Sequence, residues 1–443
     1  MAVGYYKFKR KAYEVAKGIY TRLRKSSLFK DSFWAFGGNA CWHGLSLLSA
    51  IFVARFLGKY EYGEFSMIKT TLYQITYLST FGFGYTITRF VSKYISEQNL
   101  DRLRPACNIA TNITMFTSGF FAFLVFLFAD DLSLFLNAPG TSSSFRLSAV
   151  VIFLNSVTTT QAGILSGFKD FKVLARNNSI NGVLLCILSI VLTWQFGLNG
   201  ALMALALSFL FLCSINYAST LKHRRKLPKT SVTKPLVKSL VTFTFPVALQ
   251  ELSYSVLHWL TMLLLIKKAD YGQLGLYNIA AQWVAIVIFI PGTLKNVILS
   301  YLSGENRNRH QTVNLLLKIN FLTTLVPLVL ILSCSGLITT MYGPNFSGLR
   351  LILSVYLLST VFTAMADVYN FDYMSAGKVW RIFCYRFIRD LSILLIAYGL
   401  INYYKENQVL ILVGIADIVA IVYFLLLHCR AKIKLQDHAG NFK

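Results

Sequence analysis

Ser66, Lys69, Thr70, Tyr73, Tyr77 and Thr80 recur at three- and four-residue steps within an otherwise apolar run. On a helix this spacing gathers them on one face. Lysine supplies a point charge with three donors, which suits an anionic group. Three more polar stripes share the period: Asn39, His43, Ser46 and Ser49; then Glu251, Tyr254, Ser255, His258 and Thr261; then Thr363, Asp367 and Asn370. Glu251 and Asp367 are carboxylates of the kind that hold H⁺ or Na⁺. No stripe contains a Ser/His/Asp set, and the chain has no HExxH, P-loop or GxGxxG motif. The seven cysteines (41, 107, 186, 213, 334, 384, 429) are dispersed without a CxxC pair, which argues against a disulfide framework or a zinc site. No catalytic residue, metal or cofactor is expected.

The elements that carry these stripes follow from composition. Of 443 residues, 55% are hydrophobic and 14% charged, whereas a soluble domain has about 25% charged. Stretches of roughly 20 apolar residues, enough to cross a bilayer, recur from end to end. Twelve helices are expected, at 33–54, 64–87, 105–129, 146–167, 178–196, 200–221, 239–266, 273–294, 312–335, 349–374, 380–402 and 408–428. Most of the 43 Lys and Arg residues fall in alternate loops and in both tails. The exceptions are Lys69 and, in the opposite loops, Arg55, Lys59, Arg146, Lys267, Lys268, Arg350 and Lys405. By the positive-inside rule both termini are cytoplasmic. The net charge of +25 therefore marks topology, and nucleic acid is not an expected partner. Residues 1–30 read as a basic amphipathic segment on the anionic inner leaflet, and no signal peptide is evident.

The two halves echo each other. Gly58–Phe65 resembles Asp270–Tyr277 at an offset of 212. FRLSAVVIFLNS (145–156) resembles LRLILSVYLLST (349–360), and LSGFKDF (165–171) resembles MSAGKVW (374–380). This implies a six-plus-six duplication. The expected organisation is a tail at 1–30, an N-lobe at 31–221, a basic linker at 222–238, a C-lobe at 239–428 and a tail at 429–443. The class is an all-α polytopic membrane protein, with twelve helices in two pseudo-symmetric lobes around a central cavity.

FVARFLGKYEYGEFSM, FGFGYTITRFVSKY and MYGPNFSGLRLILSVY resemble the polysaccharide-biosynthesis (Wzx-type) flippases of the MOP/MATE superfamily. The resemblance implies two rocking lobes whose helices 1, 2, 7 and 8 line a cavity. It also implies transfer of an undecaprenyl-diphosphate-linked oligosaccharide to the outer leaflet of the bacterial plasma membrane. Lys69, with Arg89 and Lys295 at the cytoplasmic mouth, would then guide the diphosphate. Asn39, His43, Tyr73, Tyr77, Tyr254 and His258 would meet the glycan, and Glu251 and Asp367 would couple H⁺ or Na⁺. Membrane lipids and other polysaccharide-assembly proteins are further candidate partners.

Each assignment has a plainer alternative. Lys69 lies about 7 Å into its run at 1.5 Å per residue and could snorkel, although its stripe favours a cavity. His43 and His258 could be packing residues, and Asp367 could bond across a helix interface. One deep lysine against Glu251, Asp367 and Asp417 leaves an acidic excess, which favours ion coupling over phosphate binding at mid-depth. A MATE-like drug or cation antiporter is the alternative function; an assembly enzyme lacks the residues it would need.

Overall fold

The computed structural model describes residues 27–228, 230–231, 234–303, 309–375, 378–404 and 407–440. Within these, the side chains of 27–33, 35, 245–247, 250–251, 293–303, 309–311, 375, 379 and 432–440 lie outside the description. The expected amphipathic tail falls outside it up to residue 26.

The regular elements are α1 (Ser27–Thr80), α2 (Phe83–Ser96), α3 (Leu100–Leu127), α4 (Ala129–Phe135), α5 (Ser142–Gly167), α6 (Phe171–Arg225) and α7 (Lys234–Lys268). Then come α8 (Tyr271–Ser303), α9 (Arg309–Ser333), α10 (Ser335–Tyr342), a 3₁₀ turn (Pro344–Phe346), α11 (Leu349–Ser375), α12 (Val379–Tyr403) and α13 (Gln408–Gly440). All twelve expected spans fall on helix, apart from breaks at Phe81–Gly82, Phe128 and Cys334.

α1 and α6 are each a hairpin. Gly58 (φ 75°, ψ 178°) and Gly197 (φ 55°, ψ −135°) interrupt them with backbone angles that side-chain-bearing residues rarely adopt. Lys69 shares a cavity with Leu47, which is equally far from Gly58 on the other arm. Asn177 Nδ2 donates to Asn216 Oδ1 at 2.9 Å across the arms of α6. Both pairings require arms that fold back side by side. Among the described residues, eight helices are long and apolar enough to cross a bilayer, including both hairpins. α12 has the length, but it carries Arg381, Arg386, Arg389 and Asp390.

In the N-lobe α6 packs along α1 and α5, while α2 and α3 pack on α5. Buried hydroxyls join these helices: Ser79 to Ser156 at 2.7 Å and Thr114 to Thr160 at 2.9 Å. In a setting without water such pairs hold helices at fixed register. Asn216→Ala is expected to cost about 1 kcal/mol by removing the shorter of the two bonds the Asn177 amide donates, leaving only Ser219 Oγ at 3.4 Å, read as a lower melting temperature in detergent. In the C-lobe α11 packs on α8, α9 and α13, and α12 packs on α13 and α7.

The lobes meet chiefly where α1 lies against α8. A Cβ on Gly63 would lie 1.8 Å from the Tyr271 carbonyl oxygen, and one on Gly275 would lie 2.5 Å from that of Lys59. Lys59 and Tyr271, like Gly63 and Gly275, are separated by the 212-residue repeat offset. The echo in the sequence is thus a reciprocal contact in space. Neighbouring bonds reinforce it: Gln282 Nε2 donates to Tyr62 Oη at 2.6 Å, and Tyr271 Oη donates to the Leu136 carbonyl at 2.5 Å.

Candidate functional site

Below this seam a cleft of about 310 Å³ opens between the arms of α1 and the face of α8. His43 and Ser46 reach it from the first arm, Lys69 from the second, and Gln282 and Phe289 from α8. The Lys69 ammonium sits 5.8 Å from the Phe65 ring centre and 5.9 Å from that of Tyr73. No carboxylate among the described residues pairs with it. With no carboxylate partner, the donors of this ammonium stay available to a ligand. The His43 ring meets Phe289 edge-on at 5.4 Å.

A second cavity lies inside the C-lobe, among α7, α8, α11, α12 and α13. One chamber of about 370 Å³ is lined by Tyr254, Thr363, Asp367, Arg386, Arg389 and Asp390. It continues into a chamber of about 230 Å³ lined by His258, Tyr277, Tyr356 and Ser359. Its floor is a chain of rings. Tyr254 stacks on His258 at 6.2 Å, His258 tilts against Tyr277 at 6.5 Å, and Tyr277 stacks on Tyr356 at 5.4 Å. Its wall is ionic. Arg386 Nη2 donates to Asp367 Oδ1 at 2.8 Å, and Arg389 Nε donates to Asp390 Oδ1 at 2.8 Å. Asn370 also donates to Asp367 and in turn accepts from Tyr423.

The structure divides the residues singled out from sequence between these places. Lys69 and His43 line the seam cleft, and Tyr73 stands beside Lys69. Tyr254, His258 and Asp367 belong to the C-lobe cavity. Arg89 lies apart, its guanidinium 4.0 Å from the Phe243 ring centre where α2 meets the start of α7. Asn39 and Tyr77 are exposed and line neither cavity. The side chains of Glu251 and Lys295 lie outside the described residues.

Arg386, Arg389 and Asp390 were not legible as site residues, and together they narrow the acidic excess read from sequence from two carboxylates to one. Both arginines looked like loop charges at the edge of an apolar run, but they lie within the second and third turns of α12. Their i, i+3, i+4 spacing with Asp390 was the available signal, because it matches the other stripes. Arg386→Ala should lower stability by about 2 kcal/mol. That is less than for a fully buried pair, because both partners are about one-third exposed to the cavity. Arg386→Met combined with Asp367→Leu should recover most of the loss in a detergent melt.

The family profile for polysaccharide biosynthesis proteins matches residues 28–292. A Shigella flexneri protein assigned as an O-antigen transporter is 23% identical over 364 residues, covering 80% of this chain and 86% of that one. Among solved structures, an inward-facing multidrug-resistance MATE transporter of the MOP superfamily superposes with a TM-score of 0.70. It is 17% identical, over 88% of this chain and 94% of the other. An outward-facing MATE structure gives 0.65 at 16% identity, over 91% and 94%. These two likenesses establish the fold.

Proposed function

The chain belongs to the polysaccharide biosynthesis protein family, and from that premise we propose that it flips a lipid-linked oligosaccharide across the bacterial plasma membrane by alternating access. The observation that carries this reading is Lys69, a cation without a carboxylate partner among the described residues, projecting into the cleft between the lobes. A diphosphate needs such a donor on its path. Glycan hydroxyls suit the amide, imidazole and phenol groups around it. The polyprenyl tail can remain in lipid while its head crosses the cleft.

The charge asymmetry supports cytoplasmic termini, lobes at 31–221 and 239–428, and a basic linker at 222–238. Under that orientation the Gly63–Gly275 seam faces outward and is closed, with the cleft on its cytoplasmic side. Asn39, His43, Tyr73, Tyr77, Tyr254 and His258 are the proposed glycan partners, and Arg89 and Lys295 the proposed cations of the mouth. Of the glycan partners, His43 lines the cleft and Tyr73 stands beside Lys69, while Asn39 and Tyr77 lie outside both cavities. Glu251 and Asp367 are the proposed coupling carboxylates for H⁺ or Na⁺. At Asp367 ion uptake would act by releasing Arg386.

Gene deletion with complementation tests the reading. Loss of a surface polysaccharide is expected, with its lipid-linked unit accumulating on the cytoplasmic leaflet. Intact polysaccharide together with heightened sensitivity to cationic drugs would overturn the reading in favour of an antiporter.

A further inference from the structure

Between α12 and α13 a groove of about 280 Å³ is lined by Tyr385, Ile388, Arg389, Val422, Leu426 and Arg430. Its walls are apolar, and Ile388, Val422 and Leu426 are exposed along them. One end is cationic. Arg430 Nη1 donates to the Tyr385 hydroxyl, and the guanidinium lies 5.0 Å from that ring's centre. No carboxylate among the described residues pairs with Arg430. Arg389 forms the inner wall, 5.2 Å from the Tyr423 ring centre. Its own partner Asp390 lies on the cavity side.

A hydrocarbon trough ending in a guanidinium and a tyrosine hydroxyl has the polarity of a phospholipid's chain and phosphate. The planar fork of arginine matches phosphate oxygens bidentately. Arg389 is already paired with Asp390, so the preference for an anionic headgroup rests on Arg430, whose charge no carboxylate among the described residues offsets. We propose that this groove binds an anionic phospholipid, with its phosphate on Arg430 and Tyr385 and one acyl chain along Ile388, Val422 and Leu426. The site is separate from the cleft between α1 and α8, and it does not depend on the transport reading. It sits at the end of α13 that the charge asymmetry assigns to the cytoplasmic leaflet.

The test uses the full chain in nanodiscs of equimolar phosphatidylglycerol and phosphatidylethanolamine, with retained lipid counted by native mass spectrometry. Wild type should retain phosphatidylglycerol preferentially. Arg430→Gln should lower that retention roughly five-fold, and Arg430→Lys should lower it less. Leu426→Trp, which fills the trough and keeps the charge, should also expel the lipid and serves if Arg430→Gln does not fold. Equal retention of the two lipids by wild type would overturn the proposal, as would unchanged retention in both Arg430→Gln and Leu426→Trp. Displacement of phosphatidylglycerol by equimolar undecaprenyl phosphate would overturn it too, assigning the groove to a polyprenyl carrier.

Discussion

Gly63→Ala is expected to reduce transport about tenfold while leaving the protein folded in the membrane. The added methyl would stand 1.8 Å from the Tyr271 carbonyl oxygen, which is backbone and cannot swing aside. Overpacking of this kind costs about 1–3 kcal/mol, and the cost falls only on the state in which the seam is shut. A shift of 1.4 kcal/mol between two states changes their ratio about tenfold. A cycle that needs both states slows accordingly. Gly275→Ala should act in the same direction but less strongly, because its methyl would meet the Lys59 carbonyl oxygen at 2.5 Å. The population can be read directly. Tyr60 and Tyr271 face each other across the seam at 5.6 Å between ring centres. Cysteines at those two positions, in a background free of the native thiols, should cross-link about five-fold less in the Gly63→Ala variant. Undiminished cross-linking and transport would show that the seam tolerates a side chain.

Lys69→Ala is the second large effect. A hydrogen bond to a charged group is worth about 1.5–3 kcal/mol, so kcat/KM for glycan-lipid transfer should fall roughly ten- to a hundred-fold. Lys69→Arg should retain most of the activity. The plainer role, an ammonium snorkelling to the interface, predicts normal transport in both variants. Membrane-inserted protein should remain at the wild-type level, because Lys69 forms no ion pair among the described residues whose loss would strand a carboxylate. Accumulation of lipid-linked units, normalised to that level, separates the two roles.

Much of this architecture was legible because the bilayer permits few alternatives. Backbone groups in hydrocarbon must be satisfied within a helix, so each apolar run long enough to span reads as one. The hairpins were harder. Gly58 and Gly197 each turn the chain with a single left-handed residue, so what looked like a loop at 55–63 is mostly continuous helix. The break at Phe81–Gly82, inside the expected span 64–87, arises from two consecutive left-handed residues. No pattern of hydropathy announces such a break.

At the site, the stripe through Ser66, Lys69 and Tyr73 was visible because one charge stands out against an apolar background. Arg386 and Arg389 carry as much charge, but near a basic loop the same residue types pass for topology signals. Three-dimensional pairing with Asp367 and Asp390 was needed to tell the two apart. Nor could periodicity foresee that Lys69 and Tyr254, both on polar stripes, would open into different cavities.

The mutual contact of Gly63 with Tyr271 and of Gly275 with Lys59 is isologous, the geometry found where two copies of one chain meet about a two-fold axis. A half-length chain carrying a single such glycine would form both contacts by pairing with itself. Joined in one polypeptide, each half supplies one glycine and one backbone carbonyl to the other, so the joint is made twice over by equivalent positions 212 residues apart.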